Sequence, residues 1–191
     1  MGPEPRQNYR FRADDRRSRL NSARSVLPLV LAEFSEYGRT SFILSLGIIK
    51  KQENIPEIPN IRDINISIIR ECIENSGGEY KKKLLNLLKV YQVQRSRLRE
   101  AVAEFVVPDA GERIYGGYNP DDQMHQAIHL ESCVELIILL NRLWAFARNE
   151  GEPDAHDSID AQVEMLFNRA GEDPARWPQT IRHLNYALSA L

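Results

Sequence analysis

The sequence predicts an all-α fold, an up-and-down bundle of five or six helices around a single core. Apolar residues recur three and four positions apart in each apolar segment, and none of these segments alternates with a period of two. The 191-residue chain is 42% hydrophobic and 27% charged, which is typical of one folded domain. We expect residues 1–12 to form a flexible basic arm and residues 13–191 to form the bundle.

The first helix is predicted over roughly 14–50 from one apolar face. The residues of that face are Leu20, Ala23, Leu27, Val30, Leu31, Phe34 and Tyr37. Pro28 lies inside this stretch, and proline removes a backbone donor and crowds the preceding turn. We therefore expect a kink or a break there.

The second and third helices are separated from the first by a connector at 55–60 that contains two prolines. A short second helix, marked by apolar residues over 64–73, should be ended by Gly77-Gly78. A third helix over 80–105 carries a heptad seam made of Leu84, Leu87, Tyr91, Gln94, Leu98, Ala101 and Phe105. A buried Gln94 either specifies pairing with another chain or forms hydrogen bonds inside the monomer.

The fourth helix should begin at Asn119-Pro120 after an irregular loop, and end near Arg148. It is apolar on every face over 136–140, which predicts a helix surrounded by others. After a linker at 150–157, a fifth helix over 158–170 is closed by Gly171. A last segment opens at Asp173-Pro174, with a predicted interruption at Pro178 and an apolar end that packs on the core or on a second copy.

The composition excludes several classes of protein. Two cysteines in helical segments cannot make a disulfide scaffold, and the polar, arginine-rich start does not resemble a signal peptide. The stretch 26–49 contains charged residues and is too short in its apolar part to span a bilayer. We expect a cytoplasmic protein, with a membrane-proximal position as the alternative.

Four residues that can bind metal follow one another at intervals of four. They are Asp121, His125, His129 and Cys133. One straight helix brings at most about two side chains to a single ion, so the remaining ligands must come from elsewhere, with Glu33 and Glu36 as candidates. The spacing fits neither HExxH nor the Glu-x-x-His of di-iron bundles. We predict that these are core and helix-start residues, and that the protein binds no metal or cofactor.

Basic side chains are concentrated in residues 80–100, which contain seven lysines and arginines and one acidic residue. The candidate anion-binding residues are Lys81, Lys82, Lys83, Lys89, Arg95 and Arg99. With the arginine-rich start they make an anionic membrane surface or nucleic acid a candidate partner. Nucleic acid is disfavoured because these residues lie on several sides of the helix without interleaved aromatic residues, and the pI is about 6.1. A solvated face, or a face docked on the acidic C-terminal helices, is favoured.

No catalytic motif is present in the sequence. It contains no GxSxG, no GxxxxGK[ST] and no GxGxxG, and Tyr115 and Tyr118 are better explained by a packed loop than by a ligand lid. The favoured function is a non-enzymatic interaction or assembly module, with a protein partner or with self-association through helices. The alternatives are an anionic-surface binder and a metal- or ligand-binding helical enzyme.

Two stretches resemble uncharacterised bacterial helical proteins. They are Leu27-Pro28-Leu29 with Glu33-Phe34-Ser35-Glu36-Tyr37, and Tyr91-Gln92-Val93-Gln94-Arg95-Ser96-Arg97-Leu98. Some of those proteins carry a membrane segment before the helical part. The resemblance implies a truncated or soluble cytosolic domain whose arginine-rich start once lay beside a bilayer, and it implies no activity.

Overall fold

The computed structural model describes residues 5–52, 57–106, 123–148 and 158–189. The described residues form six α-helices and one 3-10 helix at Pro174–Arg176, without a β-strand. The α-helices are α1 (Pro5–Ile49), α2 (Asp63–Asn75), α3 (Gly78–Val106), α4 (Gln123–Ala147), α5 (Ile159–Arg169) and α6 (Pro178–Leu188). The predicted all-α fold is confirmed.

The first four helices pack in the predicted up-and-down order. α2 runs antiparallel to α1, because the start of α2 is bonded to Glu33 and its end is bonded to Arg16. The end of α4 meets the early part of α1, where Arg24 donates to the Phe146 carbonyl (2.6 Å). It also meets the start of α3, where Tyr80 stacks on Phe146 with ring centroids 4.2 Å apart. α1 and α3 therefore run one way, and α2 and α4 run the other.

α4 is the central helix, as its uniformly apolar stretch predicts. Every residue from Leu136 to Leu140 is buried, and α1, α3, α5 and α6 all pack against α4. Neighbouring residues of α4 line two hydrophobic clusters, one shared with α1, α2 and α3 and one shared with the end of α1, α5 and α6. The two clusters meet along α4.

The first helix starts earlier than predicted. α1 begins at Pro5, so residues 5–12, which we expected to form a flexible basic arm ahead of the first helix, are part of α1, while residues 1–4 lie outside the described part. Proline fits the first turn of a helix, where its missing N–H costs nothing. α1 also continues through Pro28, where a kink or break was predicted.

The remaining helix ends follow the glycine and proline signals. Gly78 (φ 59°) opens α3, and Gly171 (φ 77°) follows α5, both in the left-handed region that glycine tolerates. Pro178 does not interrupt a helix but occupies the first turn of α6.

Within the described residues, no helix has the length and apolarity needed to cross a membrane.

We predict that two leucines of α3 differ sharply in their tolerance of charge. Leu87 is fully buried and Leu85 is 48% exposed. Leu87→Asp should lower the free energy of unfolding by more than about 3 kcal/mol, because an unpaired carboxylate enters the core. Leu85→Asp should change it by less than about 1 kcal/mol. Urea unfolding followed by circular dichroism measures both, and equal losses would mean that the α3 seam is wrongly assigned.

Candidate functional site

The predicted metal-binding stripe is only partly described. Asp121 lies outside the described residues, and His125 belongs to α4 but its side chain is not described. His129 and Cys133 are both buried in α4. Among the described residues, no three histidine, cysteine or acidic side chains are grouped so as to hold a metal ion.

Cys133 lies in a polar contact that joins three helices. Gln94 of α3 donates from Nε2 to the Cys133 Sγ (3.4 Å) and accepts a hydrogen bond from the Tyr37 hydroxyl of α1. The Ser45 hydroxyl of α1 lies 3.6 Å from the same sulfur. Burial raises the pKa of both Cys133 and Tyr37, so the thiol and the phenol stay protonated at neutral pH. Gln94 is thus hydrogen-bonded inside the monomer, and it no longer supports pairing with another chain.

His129 is held neutral beside a fixed cation. Burial, and then the charge of Arg97, lower the pKa of His129 to about 4. Arg97 itself donates to the carbonyl of Ile128 (3.0 Å). The carboxylates expected to join His129 are bonded elsewhere, Glu33 to Arg62 and Glu36 to Arg39.

Three of the six candidate anion-binding residues of α3 interact with neighbouring side chains of the described part. Lys82 pairs with Glu79 (2.8 Å), and the Lys83 ammonium lies 5.6 Å from the centre of the Tyr80 ring. The charge of Lys89 acts on the half-buried Glu135 of α4. α3 packs on α1, α2 and α4 and does not contact α5 or α6, so it is not docked on the acidic C-terminal helices.

Two arginines of α1 bind the carboxyl ends of neighbouring helices. Arg16 donates to the carbonyls of Glu74, in the last turn of α2, and of Ser76, just after it (both 3.2 Å). Arg24 donates to the carbonyl of Phe146 at the end of α4, and its guanidinium lies 4.4 Å from the centre of the Phe146 ring. Cations are favourable at helix carboxyl ends, which carry partial negative charge. Part of the arginine-rich start therefore stabilises the bundle.

The outer face of α1 has no partner helix among the described residues and is the strongest candidate site. We define it as Ser18, Ser22, Ser25, Leu29, Ala32 and Glu36. These residues alternate four and three apart, which is heptad spacing, and all of them are exposed, Leu29 by 76%. The Ser25 hydroxyl donates to the carbonyl of Ser22 (2.7 Å), so its polar group is already bonded within the helix. Over residues 18–32 the side chains of this face are uncharged and mostly small, so another helix can approach it closely.

Charge is distributed unevenly along this face. At its start, Arg17 and Arg19 flank Ser18, and Arg19 pairs with Asp15 (3.1 Å). At its end, Glu36 pairs with Arg39 (3.1 Å). Both pairs have side chains more than half exposed, so each contributes at most about 1 kcal/mol.

The apolar residues of the sequence, followed alone, do not predict the outer face. The signal was present as uncharged residues in heptad spacing on the side of α1 opposite the apolar face. Comparisons with protein-family models, curated proteins and solved structures found no match. The resemblance to bacterial helical proteins therefore stays an expectation.

We predict that His129 makes the protein less stable in mild acid. The unfolded chain takes up a proton near pH 6.5, whereas the folded chain resists protonation until about pH 4. Stability should therefore fall as pH falls, by about 2 kcal/mol between pH 7 and pH 5 from this residue alone. His129→Gln should lose that component, while contributions of carboxylates such as Glu135 remain in both proteins. Identical pH dependence of urea unfolding in the two proteins would contradict the assignment.

Proposed function

We propose that this protein is a non-enzymatic assembly module, in which α1 pairs with α1 of a second copy in antiparallel orientation. The observation that carries the proposal is the exposed, heptad-spaced outer face, with basic flanks at one end and an acidic residue at the other. An interface of this kind is isologous, because the same face serves both copies.

The sizes of the side chains favour the antiparallel orientation. When the two-fold axis crosses the outer face at the level of residue 27, each residue of that face lies opposite another residue of the same face in the second copy. Leu29 then faces Ser25 of the second copy, and Ala32 faces Ser22. The large side chain meets a small one on both sides of the axis, which is how facing layers interdigitate. A parallel pair sets Leu29 against Leu29 and serine against serine, leaving the interface uneven.

The charges favour the same orientation. In this register Glu36 faces Ser18 of the second copy, between Arg17 and Arg19. A parallel pair sets Glu36 beside Glu36 and the arginines beside each other, which is repulsive. Dimer formation replaces the weak, exposed ion pairs within each α1, Asp15 with Arg19 and Glu36 with Arg39, by ion pairs between the two helices, at little cost in free energy.

The expected affinity is modest. The outer face contributes one large apolar residue, and only Val26, 39% exposed, adds a second beside it. Small interfaces of this type belong to the weak class, and we expect a dissociation constant of about 1–100 μM.

The two alternative functions receive less support from the described residues. Binding to an anionic surface needs free converging cations, whereas Arg16 and Arg24 are bonded to helix ends and Lys82 is paired. A metal-dependent enzyme needs ligands beside His129, where Arg97 lies instead.

We predict that a charge at the centre of the outer face abolishes self-association. Leu29→Asp sets a carboxylate in each half of the interface, so sedimentation velocity over 5–500 μM should show a monomer throughout. Leu85→Asp, the same change at an exposed leucine of α3, should leave the wild-type dimerisation intact. A wild-type protein that stays monomeric at all concentrations, or equal effects of the two variants, would refute the proposal.

Charge reversal and disulfide crosslinking test the orientation. Glu36→Arg alone, or Arg17→Glu with Arg19→Glu, should weaken the dimer about tenfold or more, and combining all three changes in one chain should restore it. Disulfide crosslinking gives a second measure. A mixture of Ser22→Cys and Ala32→Cys chains should form mainly the mixed dimer, and the native Cys72 and Cys133 are buried and do not interfere. Crosslinking of each variant mainly with itself would indicate a parallel pair.

A further inference from the structure

A second feature of the molecule is a cleft between α1, α4 and α5. Its volume is about 270 Å³, close to the lower end of the size range of small-molecule sites. The lining residues are Ser35, Arg39, Ile137, Ile138, Asn141, Trp144, Gln162, Met165, Leu166 and Arg169.

The inner surface of the cleft is apolar. Ile138 is fully buried, and Ile137 and Leu166 are each less than 10% exposed. Trp144 and Met165 are partly exposed and add an aromatic ring and a flexible thioether to the walls. Surfaces of this kind accept an aliphatic or aromatic group.

Among the described residues that line the cleft, the charged side chains are those of Arg39 from α1 and Arg169 from α5, and none is acidic. Arg169 forms no ion pair with any residue of the described part, and Arg39 is held only by its exposed pair with Glu36. The amides of Asn141 and Gln162 lie 3.5 Å apart across α4 and α5, and they complete the polar surface.

From this arrangement we infer that the cleft binds a small amphipathic carboxylate. The apolar part of the ligand packs between Ile137, Trp144 and Met165, and its carboxylate is bound by Arg169 with Arg39. A guanidinium matches a carboxylate with two parallel hydrogen bonds, which makes this class of ligand a better fit than an alcohol or an amine.

Isothermal titration calorimetry with octanoate tests the inference, with octan-1-ol and octylammonium as probes of the same chain length. We expect saturable one-to-one binding of octanoate, and binding at least about tenfold weaker for the other two. Trp144 reports the location. In a Trp177→Phe background it is the one remaining tryptophan, so octanoate should shift its emission over the same concentration range.

Substitutions on the rim separate this site from non-specific binding. Arg169→Gln and Arg39→Gln should each weaken octanoate binding about tenfold, whereas Arg182→Gln on the exposed side of α6 should leave it unchanged. All three positions are exposed, so the variants should keep the thermal stability of the parent. Absence of saturable binding, equal affinity for octylammonium, or equal effects of Arg169→Gln and Arg182→Gln would overturn the inference.

Discussion

The packing of α1 on α4 is the interaction on which the rest of the fold depends. Gly38 allows the close approach, since a Cβ atom there would lie 3.0 Å from Cγ1 of Ile137. At one end Arg24 binds the last turn of α4, and at the other Ser45 approaches Cys133. With α4 fixed along α1, α2 and α3 close one side of the bundle and α5 and α6 close the other. The same arrangement leaves the outer face of α1 uncovered by the other described helices.

The buried contact among Tyr37, Gln94 and Cys133 sets the register of α1, α3 and α4. Burying a glutamine in an apolar interior costs free energy unless both the oxygen and the nitrogen of its amide are hydrogen-bonded. Sliding one helix by a turn would leave the Gln94 amide without these partners. Apolar contacts discriminate less strongly between registers, because leucine packs adequately against many neighbours. The neutral His129 nearby has a different consequence. Burial and the charge of Arg97 disfavour the protonated form of its imidazole, which makes stability depend on pH.

Much of the fold could be predicted because helices with a buried face carry the period of that face in their sequence. The start of α1 could not, because residues 5–13 show no apolar period in the sequence. The sequence contains no glycine or proline between Pro5 and Pro28 that would break a helix there, and the Asp15–Arg19 pair supports the next turn. The role of Gln94 stayed open for another reason. Its partners lie 57 and 39 residues away in the chain, and only the packed fold brings them together. The outer face and the cleft also depend on packing, since a surface is defined by the helices that do not cover it.

Glu36 and Arg39 connect the two proposed sites. In the single chain their side chains pair with each other at 3.1 Å. In the proposed dimer Glu36 is drawn toward the arginines of the second copy, and in the proposed ligand complex Arg39 is drawn toward α5. Dimer formation and ligand binding each break the Glu36–Arg39 pair. Whichever occurs first therefore spares the other the free-energy cost of breaking it. The pair is worth no more than about 1 kcal/mol, which limits the coupling between assembly and ligand binding to about fivefold. Coupling of that size is positive and reciprocal, so the ligand should tighten the dimer as much as the dimer tightens the ligand.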